Sequence, residues 1–181
     1  MTEPLHTDRL TLRPWTEEDA EALYEYARDP AVGPIAGWPP HKSVGESLAI
    51  IRSVFSSPEV YAIVLKGTDR PIGCCGLTPA PDINPEYLGE NEGEIGYWLG
   101  VPHWGNGYIT EAVNAIIGRC FDVLGLSALW ICHADYNGRS RRVAEKCGFT
   151  YHHTEKDRLS PLGDTRTYIC HRLSAADYRR R

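Results

Sequence analysis

The stretch from Glu94 to Ala134 constrains the fold most. EIGYWLG reads as a strand, and the turn VPHWGNG follows it. Val113, Ile116, Ile117, Cys120, Phe121 and Leu124 then fall at i, i+3, i+4, i+7, i+8 and i+11, the apolar stripe of an amphipathic helix. Gly125 ends that helix. SALWICHA comes next, apolar enough for a strand covered on both faces.

The flanking segments extend the pattern. RLTLRP alternates as a short strand that Pro14 ends. Thr16 before Glu17, Glu18 and Asp19 has the form of a helix N-cap with an acidic first turn. Ala20, Leu23, Tyr24 and Ala27 keep helical spacing as far as Asp29-Pro30. GPIAGWPPH reads as a loop. Ser43 caps a second helix, with Val44, Leu48, Ile51 and Phe55 on one face. Val60–Leu65 and Ile72–Thr78 form a hairpin around Gly67–Arg70. PAPDINPEYLGENEG is rich in turn formers and reads as a surface loop. Asn137 caps a further helix ending at Gly148, and FTYHHTEKDRL and TRTYICHRL are strands around SPLGD. Strands and helices in this order predict a mixed α/β sheet in one domain.

The 181 residues suffice for one sizeable core. A net charge of −5 leaves no electrostatic footprint for nucleic acid. The N-terminus lacks the apolar segment of a signal peptide, and no run reaches membrane-spanning length. Cys74, Cys75, Cys120, Cys132, Cys147 and Cys170 lie inside apolar segments without a spaced framework, so buried free thiols in a reducing, cytoplasmic setting are expected.

The turn WGNGYITEA carries the chemistry. Glycines let a backbone approach a ligand closely, and free amides at a helix start attract anions. A Walker loop would need Gly-Lys-Ser/Thr, but Tyr108 and Ile109 follow Gly107. The dinucleotide fingerprint would need a third glycine, where Thr110 stands, and a closer acid than Asp135. The residues alone leave two readings, a plain strand-to-helix turn or a site for a different phosphate.

GYWLGVPHWGNGYITEA and ADYNGRSRRVAEKCGF, with TDRLTLRPWTEEDAEAL and WPPH before them, resemble the GCN5-related N-acetyltransferase (GNAT) superfamily. The resemblance spans residues 7–173 and is closest to the bacterial branch that acetylates ribosomal-protein N-termini at alanine or serine. It implies a single domain and a mixed central sheet of six or seven strands, with a splayed parallel pair and flanking helices. It also implies acetyl transfer from acetyl-coenzyme A to a primary amine, with no metal. The acceptor would be an amine-bearing small molecule or a protein N-terminus, and the chain a monomer or homodimer without nucleic-acid or membrane partners.

In this resemblance the backbone from Trp104 through Gly105, Asn106, Gly107, Tyr108 and Ile109 to Thr110 holds the pyrophosphate. The superfamily's Arg or Gln ahead of the turn is Pro102 here. Leu99, Gly100 and Val101 line the pantetheine arm. Asn137 and Ser140 touch the cofactor, and Asn137 is equally readable as a helix cap alone. One or two of the basic set Arg139, Arg141, Arg142 and Lys146, with Arg142 the candidate, meet the adenosine 3′-phosphate, and the rest form a solvated helix face.

An amine attacks a thioester only when neutral, so a base must take a proton. Glu94, opening its strand, is the candidate base. The Val101 N–H is the oxyanion donor the resemblance implies. The tyrosine that many members carry as acid is replaced by Ala144, which leaves Ser140 or solvent to protonate the thiolate. Trp38, His41 and Tyr97 wall the acceptor. Tyr97 and Trp98 face opposite sides of their strand, so only one reaches the cleft. Glu111 complements the helix dipole. His152 and His153 are adjacent, so strand alternation points them apart and argues against a shared metal. The missing tyrosine keeps open an acyl-coenzyme-A-binding regulatory module without turnover.

Overall fold

The computed structural model describes residues 3–80 and 87–181. The strands are β1 (Leu5–His6), β2 (Leu10–Pro14), β3 (Val60–Leu65), β4 (Pro71–Pro79), β5 (Glu92–Leu99), β6 (Ala128–Ala134), β7 (Thr150–Leu159) and β8 (Thr165–Ser174). The helices are α1 (Ala20–Ala27), α2 (Gly33–Ala36), α3 (Val44–Ser53), α4 (Tyr108–Gly118), α5 (Gly138–Lys146) and α6 (Ala175–Tyr178). The strands form one mixed sheet in the order β1-β2-β3-β4-β5-β6-β8-β7. That is eight strands among the described residues, against an expected six or seven. The two-residue β1 pairs with the edge of β2 and has too few residues to show a period.

Two compact units share the chain: Met1–Gly76 with Tyr97–Ala115, and Leu77–Gly96 with Ile116–Arg181. In the first, β2, β3 and β4 form an antiparallel ladder, with Leu12 opposite Ile63 and Ala62 opposite Cys74. Trp15, Leu23, Ala27, Ile51 and Trp98 form a core against that ladder. Trp15 stacks on Phe55 at 4.9 Å and lies 6.3 Å from Trp98. Ser43 caps α3 by accepting from the Glu46 N–H, as its sequence predicts. The expected loop GPIAGWPPH contains the single turn α2, which starts at Gly33 and has Pro34 in its first turn, where a missing N–H costs no helical hydrogen bond.

In the second unit, β6 is buried along nearly its whole length and pairs antiparallel with β8, which pairs with β7. Asn137 caps α5 by accepting from the Ser140 N–H at 3.1 Å. The apolar stripe of α4 continues into a π-helical segment, Arg119–Val123, that buries Cys120 and Phe121. Residues 81–86 of the expected loop PAPDINPEYLGENEG lie outside the described residues. All six cysteines are free; five are buried and Cys132 is partly so. No helix among the described residues is long and apolar enough to cross a membrane.

Candidate active site

In the first unit, β5 runs into the glycine turn through a compact bend. The Gly100 N–H donates to the Ile72 carbonyl at 2.9 Å, and the His103 and Trp104 N–H groups donate back to Gly100 and Val101. Trp104 Nε1 donates to the Leu99 carbonyl at 2.7 Å. Gly100 is packed against the Tyr26 ring, where a β-carbon would collide. Leu99 and Gly100 therefore lie at their predicted bend with the Leu99 carbonyl and Gly100 N–H already engaged. Among the described residues, no hydrogen bond is made to the Val101 N–H.

Gly105 and Gly107 have φ of 81° and 79°, left-handed values that glycine adopts without strain. A methyl at Gly105 would meet nothing within 4 Å, so that side of the turn is open. The first rung of α4 is Glu111 N–H to the Gly107 carbonyl at 3.1 Å. The Tyr108 and Ile109 amides precede this ladder, where a helix carries its positive end. Asn106 braces the turn from within, its Nδ2 donating to the His103 and Trp104 carbonyls at 3.1 and 3.2 Å.

A second brace is invisible to local sequence patterns. Glu111 Oε1 accepts from Thr7 Oγ1 at 2.6 Å and from the Arg9 N–H at 2.8 Å, while Oε2 accepts from Arg9 Nε at 2.7 Å. Arg9 Nη1 reaches on to the Asn106 carbonyl at 3.0 Å, and its guanidinium lies 4.7 Å from the Tyr108 ring centroid. Glu111 thus ties the start of β2 to the turn, beyond the dipole role expected for it. Burial works to raise its carboxyl, but the Thr7 and Arg9 donors hold it below the ordinary range.

Trp98 faces the core and Tyr97 the other side of β5, as alternation requires. Trp38 lies edge-on to Trp98 at 6.0 Å and 5.3 Å from the His41 ring. His41 is bonded to Ser47 Oγ at 2.8 Å, and burial lowers its pKa. Tyr26, absent from the sequence reading, bonds His103 Nε2 at 3.2 Å.

The second unit holds Glu94. Strand β5 begins at Glu92, so Glu94 is its third residue and not its first. The parallel register with β6 is Glu92 to Ala128, Gly93 to Leu129 and Glu94 to Trp130, and it ends there. Burial pushes the Glu94 carboxyl up to about 7; Arg158 and the Cys132 N–H oppose the rise, while Glu155 adds to it.

Its neighbour Glu92 is a different carboxylate. Burial would raise it, but Arg172 Nη2 at 2.8 Å and Trp130 Nε1 at 2.6 Å hold it below its ordinary value. Two acids two residues apart thus have opposed environments, the arrangement that separates a base from a structural anion.

Ser140 is buried on the first turn of α5, and Arg142 is exposed. Ala144, where the resemblance would place a tyrosine, has no exposed surface. Arg141 is paired with Glu145 at 2.8 Å.

One expectation is overturned. His152 and His153 do not point apart: a register shift between Tyr151 and His153 interrupts alternation. Their Nδ1 atoms lie 2.9 Å apart, and both rings pack against Trp130, at 4.7 and 6.0 Å.

The family model for the acetyltransferase (GNAT) domain matches residues 9–150. A relative from Bacillus licheniformis, named "Uncharacterized N-acetyltransferase p20", is 35% identical over 132 residues, covering 70% of this chain and 71% of its own. A solved structure from Vibrio cholerae, described as a "putative ribosomal-protein-serine acetyltransferase", aligns with a TM-score of 0.77 at 26% identity over 96% of this chain and 99% of that one. The microcin C7 self-immunity acetyltransferase MccE, solved in complex with acetyl-CoA and AMP, shares the fold with a TM-score of 0.75 at 20% identity, covering 93% of each chain.

Proposed function

This chain belongs to the GNAT acetyltransferase family, and from that premise we propose that it is a single N-acetyltransferase domain over residues 7–173 that moves acetyl from acetyl-coenzyme A directly to a primary amine in a ternary complex. The observation that carries the mechanism is the Glu94 carboxyl, poised at about 7 and so able to accept a proton at neutral pH.

Acetyl-coenzyme A supplies the activated thioester. The open glycine turn, with its helix-start amides, suits the pyrophosphate, with Trp104 to Thr110 as its cradle. Leu99, Gly100 and Val101 flank the pantetheine arm, and Asn137, Ser140 and Arg142 contact the nucleotide side. Glu94 takes the proton from the incoming ammonium. The Val101 N–H donates to the carbonyl oxygen as negative charge develops on it. The freed amine bonds to the thioester carbon, and the second proton its nitrogen sheds passes through the Ser140 hydroxyl to the thiolate as the C–S bond breaks, leaving the serine unchanged. Tyr97 walls the acceptor, whereas Trp38 and His41 lie with Trp98 on the other face of β5; the acceptor is a protein N-terminus or a small amine, and the likeness to the Vibrio cholerae protein supports the former.

Glu94→Gln tests the reading. It is expected to slow transfer by about 10²–10⁴-fold, the usual worth of a general base, and to leave acetyl-coenzyme A affinity unchanged. Wild-type rate should rise with pH through about 7, and this rise should vanish in the variant. An unchanged rate and profile would remove Glu94 as the base. Calorimetry showing tight cofactor binding, with no thiol release against a broad amine and peptide panel, would favour a binding module in which Ala144 marks lost catalysis.

A further inference from the structure

The bulge that turns His153 inward also assembles metal-type donors that the transfer mechanism does not use. In the ladder β6-β8-β7, Cys132 stands opposite Cys170, and Cys170 stands opposite His153. Ligand atoms of His153, Glu155 and Cys170 lie within 4.8 Å of one another. The Cys132 thiol lies outside that set of three, but it and the Cys170 thiol both face the Tyr87 hydroxyl, at 3.4 and 3.7 Å. Among the described residues the buried His153 Nε2 has no hydrogen-bond partner, although Glu155 Oε1 is 3.7 Å away. An orphaned buried imidazole nitrogen costs free energy unless something takes its lone pair or proton.

We propose that Cys132, Cys170, His153 and Glu155 form a binding site for one borderline-soft divalent cation of the zinc type.

The donor chemistry selects the ion. Two sulfurs, one imidazole nitrogen and one carboxylate oxygen suit tetrahedral zinc and are poor ligands for magnesium or calcium. Glu155 has an oxygen to give, because Arg158 Nη1 engages Oε2 at 2.9 Å and leaves Oε1 toward His153. Two thiolates, one carboxylate and a dication sum to −1, and the Arg158 cation offsets it. Tyr87 supplies an outer partner: its hydroxyl is 3.4 Å from Cys132 Sγ and 3.7 Å from Cys170 Sγ, placed to donate to a sulfur once it is a thiolate. Its ring lies 4.4 Å from that of His153 and fixes the imidazole. At neutral pH the cation displaces both thiol protons to bulk water, the His153 nitrogen enters with its lone pair, and no electron changes hands.

Co²⁺ is the probe, added to the full chain kept reduced by a non-chelating phosphine. Expected are one Co²⁺ per chain, thiolate-to-cobalt charge-transfer absorption, the strong visible bands of tetrahedral cobalt, and release of about two protons per ion in weak buffer at pH 7. Zn²⁺ should bleach these bands. Cys170→Ser and His153→Asn should each weaken Co²⁺ binding by about tenfold or more while the metal-free melting curve stays cooperative. Binding without thiolate bands or proton release overturns the proposal. So do bands that persist at unchanged affinity in either variant, because the ion would then sit elsewhere. The proton count needs no variant, so a substitution that fails to fold leaves the test standing.

Discussion

At the scale of the single residue, Glu94 sets catalytic readiness against stability. Its carboxyl has a folded-state pKa of about 7, above the ordinary value of 4.5. The native state therefore favours the protonated form. The stability associated with that proton is fully present below pH 4.5 and is lost as pH rises through about 7. The difference is worth up to about 3 kcal/mol. Glu94→Gln, neutral at every pH, should match the wild type below pH 4.5 and melt several degrees higher at pH 8. Thermal scans at the two pH values check this, and equal melting points at pH 8 would show that the carboxyl is not desolvated. Glu94 was legible as a candidate because a resemblance pointed to its strand. Its raised pKa was not legible, since that depends on burial in the folded sheet and on the charges of Arg158 and Glu155, which are distant in sequence. The histidine pair failed for a related reason: alternation holds until a bulge, and nothing in YHHTE announces one.

At the scale of the element, the helix starts do most to shape the site. Helix α5 was legible because an N-cap is a local bond, here from the Ser140 N–H to the Asn137 side chain. Asn137→Ala should cost about 0.5–2 kcal/mol of stability. Asn137→Asp keeps the cap and separates its two readings. A cofactor affinity equal to wild type means that Asn137 is a cap only; an affinity lowered while melting is preserved means that its amide also touches the ligand.

Helix α4 was legible from its stripe, but the brace at its start was not, because Arg9 and Glu111 are 102 positions apart. Arg9→Ala removes the bonds to Glu111 and to the Asn106 carbonyl. Its guanidinium is half-exposed, so the stability loss should be modest, about 0.5–1 kcal/mol. The larger effect should fall on acetyl-coenzyme A affinity, because the freed turn must be ordered on binding. Calorimetry giving wild-type affinity in Arg9→Ala would show that Asn106 and the glycines hold the turn unaided.

At the scale of the whole molecule, the order of strands and helices was readable, since period and turn residues are local. The sheet order and the charge environment were not, because both arise from contacts between distant segments. That environment has a consequence for pH. Burial lowers the pKa of His41 and His103 in the first unit and of His133 and His171 in the second. His133 and His171 stack at 5.2 Å and disfavour each other's charge, and among the described residues His133 Nε2 and His171 Nδ1 have no hydrogen-bond partner. A histidine held neutral contributes stability that is present above its ordinary value of 6.5 and lost as pH falls through the lower folded value. Glu94 works in the opposite direction between 4.5 and about 7. In the wild type the two trends offset each other, so melting temperature should change little across this window. Glu94→Gln removes one trend and leaves the other, so its melting temperature should climb steeply from pH 5 to 7. Adding His133→Gln and His171→Gln should flatten that climb, because two of the four histidines no longer titrate. A climb of unchanged slope in the triple variant would assign the acid sensitivity to His41 and His103 instead.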